Sequence, residues 1–254
     1  MQSSDPGKFR LIIQDDPGDP YYNIALEEAI TREIHYGYSP PALRLWRCRR
    51  SVVMGSGRRI HEDLFIQNIH DDEIPLIRRT SGGGTIVHHP DNICYSLYFP
   101  FFRQELQPRL KIKESIHLLC GIIISALQRC GFDADISDRG DVRIGDRKVS
   151  GTAQQRTLKA MCHHGTILFE SHIDEMERYL KIPKERKSSH RDFVTGLHSE
   201  GFNDRSKLFK AIKDATSDSL KVKIEPGQLT EVEKSRAKKL VESRLKKEEW
   251  TYRL

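Results

Sequence analysis

Residues 78–88 read Arg-Arg-Thr-Ser-Gly-Gly-Gly-Thr-Ile-Val-His, and their glycine triplet constrains this chain more than any other feature. Without a Cβ, the backbone at Gly82, Gly83 and Gly84 can lie flat against another surface or a ligand. Successive free N–H groups there can form a concave anion-binding nest. Arg78 and Arg79 place fixed positive charge just before it, suited to phosphate or carboxylate. Glycines alone would read as a mobile loop after a strand. The arginine pair in front and the apolar Ile86-Val87 behind favour a loop that holds a phosphorylated or carboxylated ligand.

The chain has 254 residues, which suits one large α/β domain or one domain with a small appendage. Hydrophobic residues make up 37%, low but sufficient for a core, and 31% are charged, so much of the surface is solvated. The longest apolar stretch, Leu118 to Leu127, is interrupted by Cys120, Gly121 and Ser125 and is too short to cross a bilayer. Met1–Gly7 has neither a basic nor an apolar region of the secretory kind. Nothing thus points to a membrane, and five irregularly spaced cysteines read as reduced thiols in a cytoplasmic protein. The net charge of +6 suits an acidic protein partner. Nucleic acid ranks lower, because no arginine-rich arm, zinc-finger spacing or RRM-type aromatic motif accompanies the charge.

Residues 9–14 have strand composition, followed by the turn-rich Asp15–Pro20. Leu26, Ile30 and Ile34 give one apolar stripe on a helix from Tyr22 to about His35. Short strands are expected around Leu43–Leu45 and Val52–Met54, joined by a basic turn at 47–50, and another from Asn92 to Phe99. The clearest helix runs from Lys113 to Cys130, with Gly131 as its C-cap and Cys120 and Cys130 as packing residues. Residues 141–153 alternate around Gly145-Asp146, a tight-hairpin pattern. A strand at 166–169, a short helix at 175–180 and a charged loop at 184–192 follow. The tail carries helices near 206–219 and 230–247, the latter opened by a capping box at Thr230, with a strand at 222–224 between them.

Two stretches complement the glycine loop. Lys148 on the hairpin stands near Gly151, well placed to project a point charge onto a ligand at the backbone. Asp141 suits a metal, a ribose hydroxyl or a turn cap. The second stretch is Cys162-His163-His164-Gly165-Thr166, where a cysteine beside histidines can be a nucleophile. Metal binding there is disfavoured, because adjacent strand residues point to opposite faces.

Three segments in order resemble the lipoate–protein ligase branch of the biotin/lipoate protein ligase superfamily: 78–88, 145–154 and His163–Leu168. Weaker similarity extends to Asn23–Glu28 and Glu249-Trp250, so the resemblance spans nearly the whole chain. It implies a mixed α/β sheet flanked by helices, of the class II synthetase and biotin-lipoate ligase type. Residues 1–254 would form one catalytic domain, with 203–254 as a small C-terminal α/β extension. It implies ATP, Mg²⁺ and lipoic acid (or octanoate) as reactants, lipoyl-AMP as intermediate, and transfer to a lysine ε-amine on a lipoyl domain. Acceptors would be 2-oxoacid dehydrogenase E2 proteins or the glycine cleavage H protein. Lys148 matches the family's essential lysine. The lipoyl-adenylate or ATP pocket would draw on Arg78, Arg79, Ser81, Gly82, Gly83, Gly84, Thr85, Val87 and His88 from the first segment. Asp141, with Mg²⁺ as its metal, Gly151, Thr152, Ala153, His164 and Gly165 would complete it.

The chain departs from the pattern at Gly140-Asp141, where many ligases carry Asn-Asp. Longer members also carry an accessory domain, so the expectation here is a core that suffices or is completed by a separate chain. The competing enzyme is an octanoyltransferase that takes its acyl group from acyl carrier protein through a cysteine thioester, with Cys162 as nucleophile. In that pattern the cysteine stands three residues before the histidine of His-Gly. Met161 occupies that place here, and one residue of slip turns a strand side chain to the other face. A non-catalytic acyl-binding protein is the third reading, and the retained Lys148 opposes it.

Overall fold

The computed structural model describes residues 8–101, 111–184 and 186–254. Strand β1 (Lys8–Gly18) leads into helix α1 (Pro20–His35), then β2 (Ala42–Cys48) and β3 (Ser51–Met54). Short helices α2 (Ile60–Asp63) and α3 (Ile66–Asp71) precede β4 (Leu76–Arg78), β5 (Ile86–His88) and β6 (Ile93–Pro100). Helix α4 (Ile112–Arg129) follows, then β7 (Ala134–Ile136), β8 (Val142–Ile144), β9 (Arg147–Arg156) and β10 (Ala160–Ile167). The remainder is α5 (Ile173–Tyr179), α6 (His190–Phe193), α7 (Arg205–Leu220), β11 (Lys223–Pro226), α8 (Glu231–Leu240), a π-helical turn at Val241–Leu245, and α9 (Glu248–Thr251).

An eight-stranded mixed sheet has the order β11-β1-β2-β6-β10-β9-β8-β7, parallel at its first two pairings and antiparallel from β2 onward. The period of two in β6 sets the core. Ile93, Tyr95, Leu97 and Phe99 face α4 and α7, whereas Cys94 and Tyr98 face α1. On α4, Leu119, Ile122, Ile123 and Leu127 are buried, each adding about 1.5–3 kcal/mol over an exposed position. Helix α1 begins at Pro20, two residues before the sequence pattern suggests. Proline suits the first helical position, and Asp19 caps it by accepting from the Tyr22 N–H at 2.8 Å.

The two strands around the basic turn do not form a hairpin. β2 is central in the large sheet, whereas β3 pairs with β4 and β5 in a separate three-stranded sheet. That small sheet carries the glycine loop between β4 and β5. Residues 203–254 are built into the fold: β11 extends the large sheet, α7 packs on α4 and α8 packs on α1. Among the described residues no helix is long and apolar enough to cross a membrane.

Candidate active site

A cavity of about 370 Å³ opens between the small sheet, β9, β10 and α5. Gly84, Thr85 and Val87 line it from the glycine-loop side, Asp141, Lys148 and Gly151 from the hairpin. Thr166 of β10 and Leu168 just beyond it close one side, and Met176 of α5 and Leu180 at its C-terminal end the other.

Lys148 and Gly151 stand three apart, so a regular strand would turn them to opposite faces. The β8–β9 register passes from Val142–Ser150 to Arg143–Lys148, which leaves Val149 as an extra residue. This bulge re-aims the strand and brings both residues to the cavity. Lys148 Nζ then reaches Asp141 Oδ1 at 2.7 Å by passing over Gly151. The hairpin's simple alternation gave no sign of the bulge.

Arg78 and Arg79 are buried and donate mainly to backbone carbonyls, while Arg78 Nη2 is left without a partner. Arg79 donates to Val53 O, Gly82 O and Gly84 O, and through Nε to Ser81 Oγ. It thereby curls the glycine loop around its own guanidinium. Arg78 donates to Thr251 O at 3.0 Å and to Gly55 O and Ser56 O, while its own carbonyl accepts from the Trp250 indole N–H at 2.7 Å. Neither arginine lines this cavity. They fix the shape of the loop, and burial lowers the Arg79 pKa to about 10.

Ser81 and His164 belong to the same support. His164 Nε2 is 2.9 Å from Ser81 Oγ, and Nδ1 pairs with the buried Glu27 of α1. Ser96 donates to Glu27 and accepts from the Trp46 indole N–H at 3.0 Å. A proton on Nδ1 lets His164 donate to Glu27, and Arg79 donates to Ser81 at the other end of the set. Burial alone would raise the Glu27 carboxyl, but the charge and hydrogen bond of His164, with the Ser96 bond, outweigh it and hold it below its ordinary value. Ser81, His164 and Glu27 are in the order of a hydrolase triad. Ser81 is buried outside the cavity and its oxygen holds Arg79, so the set positions the loop.

The glycines divide by role. A Cβ on Gly82 or Gly84 would meet open space, whereas one on Gly83 would stand 3.0 Å from Arg79 Nη2 and 3.2 Å from Ala153 Cβ. Gly83 also has φ +89°, which disfavours a side chain. The side on which a Cβ would stand faces the protein, with Ala153 behind it. Gly165 has the same character, clearing Tyr95 Oη and Gly151 O. Thr152 Oγ1 lies 3.7 Å from Cys120 Sγ, toward α4. His88 packs edge-on against Trp46, and burial pushes its pKa down to about 4.

Cys162 and His164 share the α1-facing side of β10, since they are two residues apart. With Glu27 they could hold a metal by spacing. Cys162 is 1% exposed, and burial raises its thiol pKa well above the ordinary value. A nucleophile must be an accessible thiolate. In this conformation Cys162 is neither.

Several cavity residues escaped the sequence pattern: Asp63, Arg58, Arg139 and Arg186. Asp63 accepts from Arg58 Nε at 2.7 Å and from Thr85 Oγ1. Gly55, in Gly-Ser-Gly-Arg-Arg, packs against the backbone of Gly82 and Gly83. For Arg58 that stretch was the available signal, because it sets glycines beside an arginine pair as the recognised loop does, in the reverse order.

Residues 19–213 match the family model of the lipoyl protein ligase A/B catalytic domain. A bi-partite lipoate protein ligase from Thermoplasma acidophilum, solved with its E2 lipoyl domain in view, is 25% identical with a TM-score of 0.86. The match covers 97% of this chain and 97% of that one. A lipoate-protein ligase A bound with ATP is 24% identical, covering 96% of this chain and 98% of that one, with a TM-score of 0.85. A T. acidophilum protein described as a lipoate protein ligase, with bound lipoic acid, gives 24%, 96%, 99% and 0.79 respectively.

Proposed function

The chain belongs to the lipoyl protein ligase A/B catalytic-domain family, and from that premise we propose that it is an ATP-dependent lipoate–protein ligase. It activates lipoate, or octanoate, as the acyl-adenylate and transfers the acyl group to a lysine ε-amine on a lipoyl domain. The observation that carries this reading is Lys148, held by Asp141 over Gly151 at the cavity wall opposite the glycine loop.

The chemistry needs little more. A carboxylate oxygen attacks the α-phosphorus of ATP, the bond to the bridging oxygen breaks and pyrophosphate leaves. The lysine amine of the acceptor then attacks the mixed anhydride, loses a proton and expels AMP. Neither step requires a nucleophile from this chain, in keeping with the buried Cys162. Lys148 would draw the carboxylate and the α-phosphate together and offset the charge that develops between them. Arg58, Arg139 and Arg186 line the same cavity and suit the remaining phosphates. The open space beside Gly84 lets a ligand approach the backbone, while Leu168, Met176 and Leu180 offer apolar surface to the acyl chain. Asp141 offers Mg²⁺ a single carboxylate already shared with Lys148, so phosphate oxygens and water would fill most of its shell.

The acceptor we favour is the lipoyl domain of an E2 protein, as in the Thermoplasma system, with the glycine cleavage H protein as a second candidate. The test is the intact mass of an apo lipoyl domain after two incubations. One contains this protein with lipoate, ATP and Mg²⁺; the other contains octanoyl acyl carrier protein without ATP. A lipoyl gain in the first alone is expected. An octanoyl gain in the second alone would replace the ligase with a transferase. No gain in either would mean that the chain by itself does not perform the transfer, which a bi-partite arrangement would explain.

A further inference from the structure

Away from the cavity, the turn between β5 and β6 and the start of α5 bring His89, Asp91 and His172 together. Asp91 Oδ2 lies 3.1 Å from His89 Nδ1 and 3.0 Å from His172 Nε2. The two rings stack with centroids 3.4 Å apart and planes tilted by 30°. His89 Nδ1 also accepts from the Asp91 backbone N–H at 3.3 Å. A nitrogen that accepts that bond has no proton for the carboxylate, so a lone pair and an anionic oxygen face each other. A cation between them removes that conflict, and the second imidazole completes a three-donor set.

Two further observations point the same way. His172 is left-handed at φ 44°, a conformation that costs a non-glycine residue about 1–3 kcal/mol and is found where a site requires it. One oxygen of Glu175 pairs with Arg50 at 3.0 Å, while the other is buried without a partner. Glu175 lies close enough to act electrostatically on His89.

We propose that His89, Asp91 and His172 bind a divalent transition-metal ion of the zinc class, with the free oxygen of Glu175 or a water as fourth donor. Two imidazoles and a carboxylate are a zinc-type donor set, and bonds of about 2.0 Å place tetrahedral donors about 3.3 Å apart. Binding requires the stacked rings to rotate so that both lone pairs converge. The ion would tie the β5–β6 turn to α5, which presents Met176 and Leu180 to the cavity. This site is independent of the reaction proposed above.

The test uses the tag-free full chain, stripped with EDTA, as wild type, His172→Asn, Asp91→Asn and Cys162→Ser. Asparagine tolerates the left-handed conformation, so His172→Asn removes the ring without adding backbone strain. Zn²⁺ titrated calorimetrically should bind wild type once per chain, and at least about tenfold more weakly in His172→Asn and Asp91→Asn. Zn²⁺ should raise the melting temperature of wild type and Cys162→Ser, and of the other two only at higher concentration. Melting in EDTA identifies any variant that is merely unfolded. Co²⁺ should give visible bands without thiolate charge transfer. Absence of Zn²⁺ binding, equal binding in the two ligand variants, or a thiolate band lost in Cys162→Ser would each overturn the site.

Discussion

The ammonium nitrogen of Lys148 lies 2.7 Å from the point where a Cβ on Gly151 would stand. Lysine and glycine thus share one volume at the cavity wall, and only the missing side chain lets the cation fold across the strand to Asp141. Gly151 has no positive φ, so alanine there meets no backbone strain. Gly151→Ala should keep the fold, displace the ammonium and lower acyl transfer about 10²-fold, the usual scale for misplacement by an ångström. Transfer rates by intact mass, beside the circular-dichroism melt, check this; wild-type activity would refute the steric coupling.

Lys148→Ala should leave the melting temperature within a few degrees and cost about 10²–10³ in lipoate-dependent ATP turnover, as loss of one aimed charge does. Lys148→Arg should recover little, because a planar guanidinium does not fit the fold-over that the ammonium makes. Full activity in Lys148→Ala would defeat the ligase mechanism itself.

Gly83 and Gly84 should fail differently. Gly83→Val forces a side chain into φ +89° and against Arg79, so it should destabilise the loop by about 1–3 kcal/mol. Gly84→Val meets open space at the cavity, so it should melt like wild type yet block ATP and lipoate from entering. Thermal melts paired with ATP-induced melting shifts separate the two. Equal destabilisation in both would contradict the assignment.

Cys162→Ala should retain acyl transfer, since the thiol is buried against α1 and its pKa is raised. A small loss of stability from the removed sulfur is expected. Loss of transfer without loss of fold would restore the cysteine-thioester route.

His88 and His163 should make stability pH-dependent. Burial depresses their pKa values from 6.5 to about 4 and about 3, so the unfolded chain takes up protons first as pH falls. Stability is therefore full above pH 6.5 and declines as pH drops toward those folded values. At pH 5 each histidine should cost about 2 kcal/mol relative to neutral pH. His163→Gln should remove about 2 kcal/mol of the loss between pH 7 and pH 5 in urea melts, and the lowered His88, His89 and His190 keep the rest. An unchanged loss would show that His163 does not hold its neutral state.

The sequence displayed the elements well where periodicity was strong, as on α4, whose apolar stripe at 3.6 and closing Gly131 both appear. It displayed the cavity less well. Lys148, Gly151, Asp141 and Gly84 line it as the motifs suggest, yet the bulge at Val149 that unites two of them breaks the alternation used to read the hairpin. Arg78 and Arg79 look like ligand groups in any linear reading, because sequence cannot tell whether a guanidinium will meet a phosphate or a circle of carbonyls. Arg139 and Arg186 lie in charged stretches far from any motif, and only tertiary packing brings them to the wall.

Arg78 also sets an order of events during synthesis. Its guanidinium waits for the carbonyl of Thr251, and its carbonyl for the indole of Trp250, more than 170 positions downstream. A nascent chain that has emerged only as far as β10 holds the glycine loop, Lys148 and Gly151 but lacks Thr251 and Trp250, which complete the bonds of Arg78. Ribosome-bound intermediates should therefore carry every motif and still bind nucleotide poorly, and competence should arrive abruptly once residues 250 and 251 are free to dock.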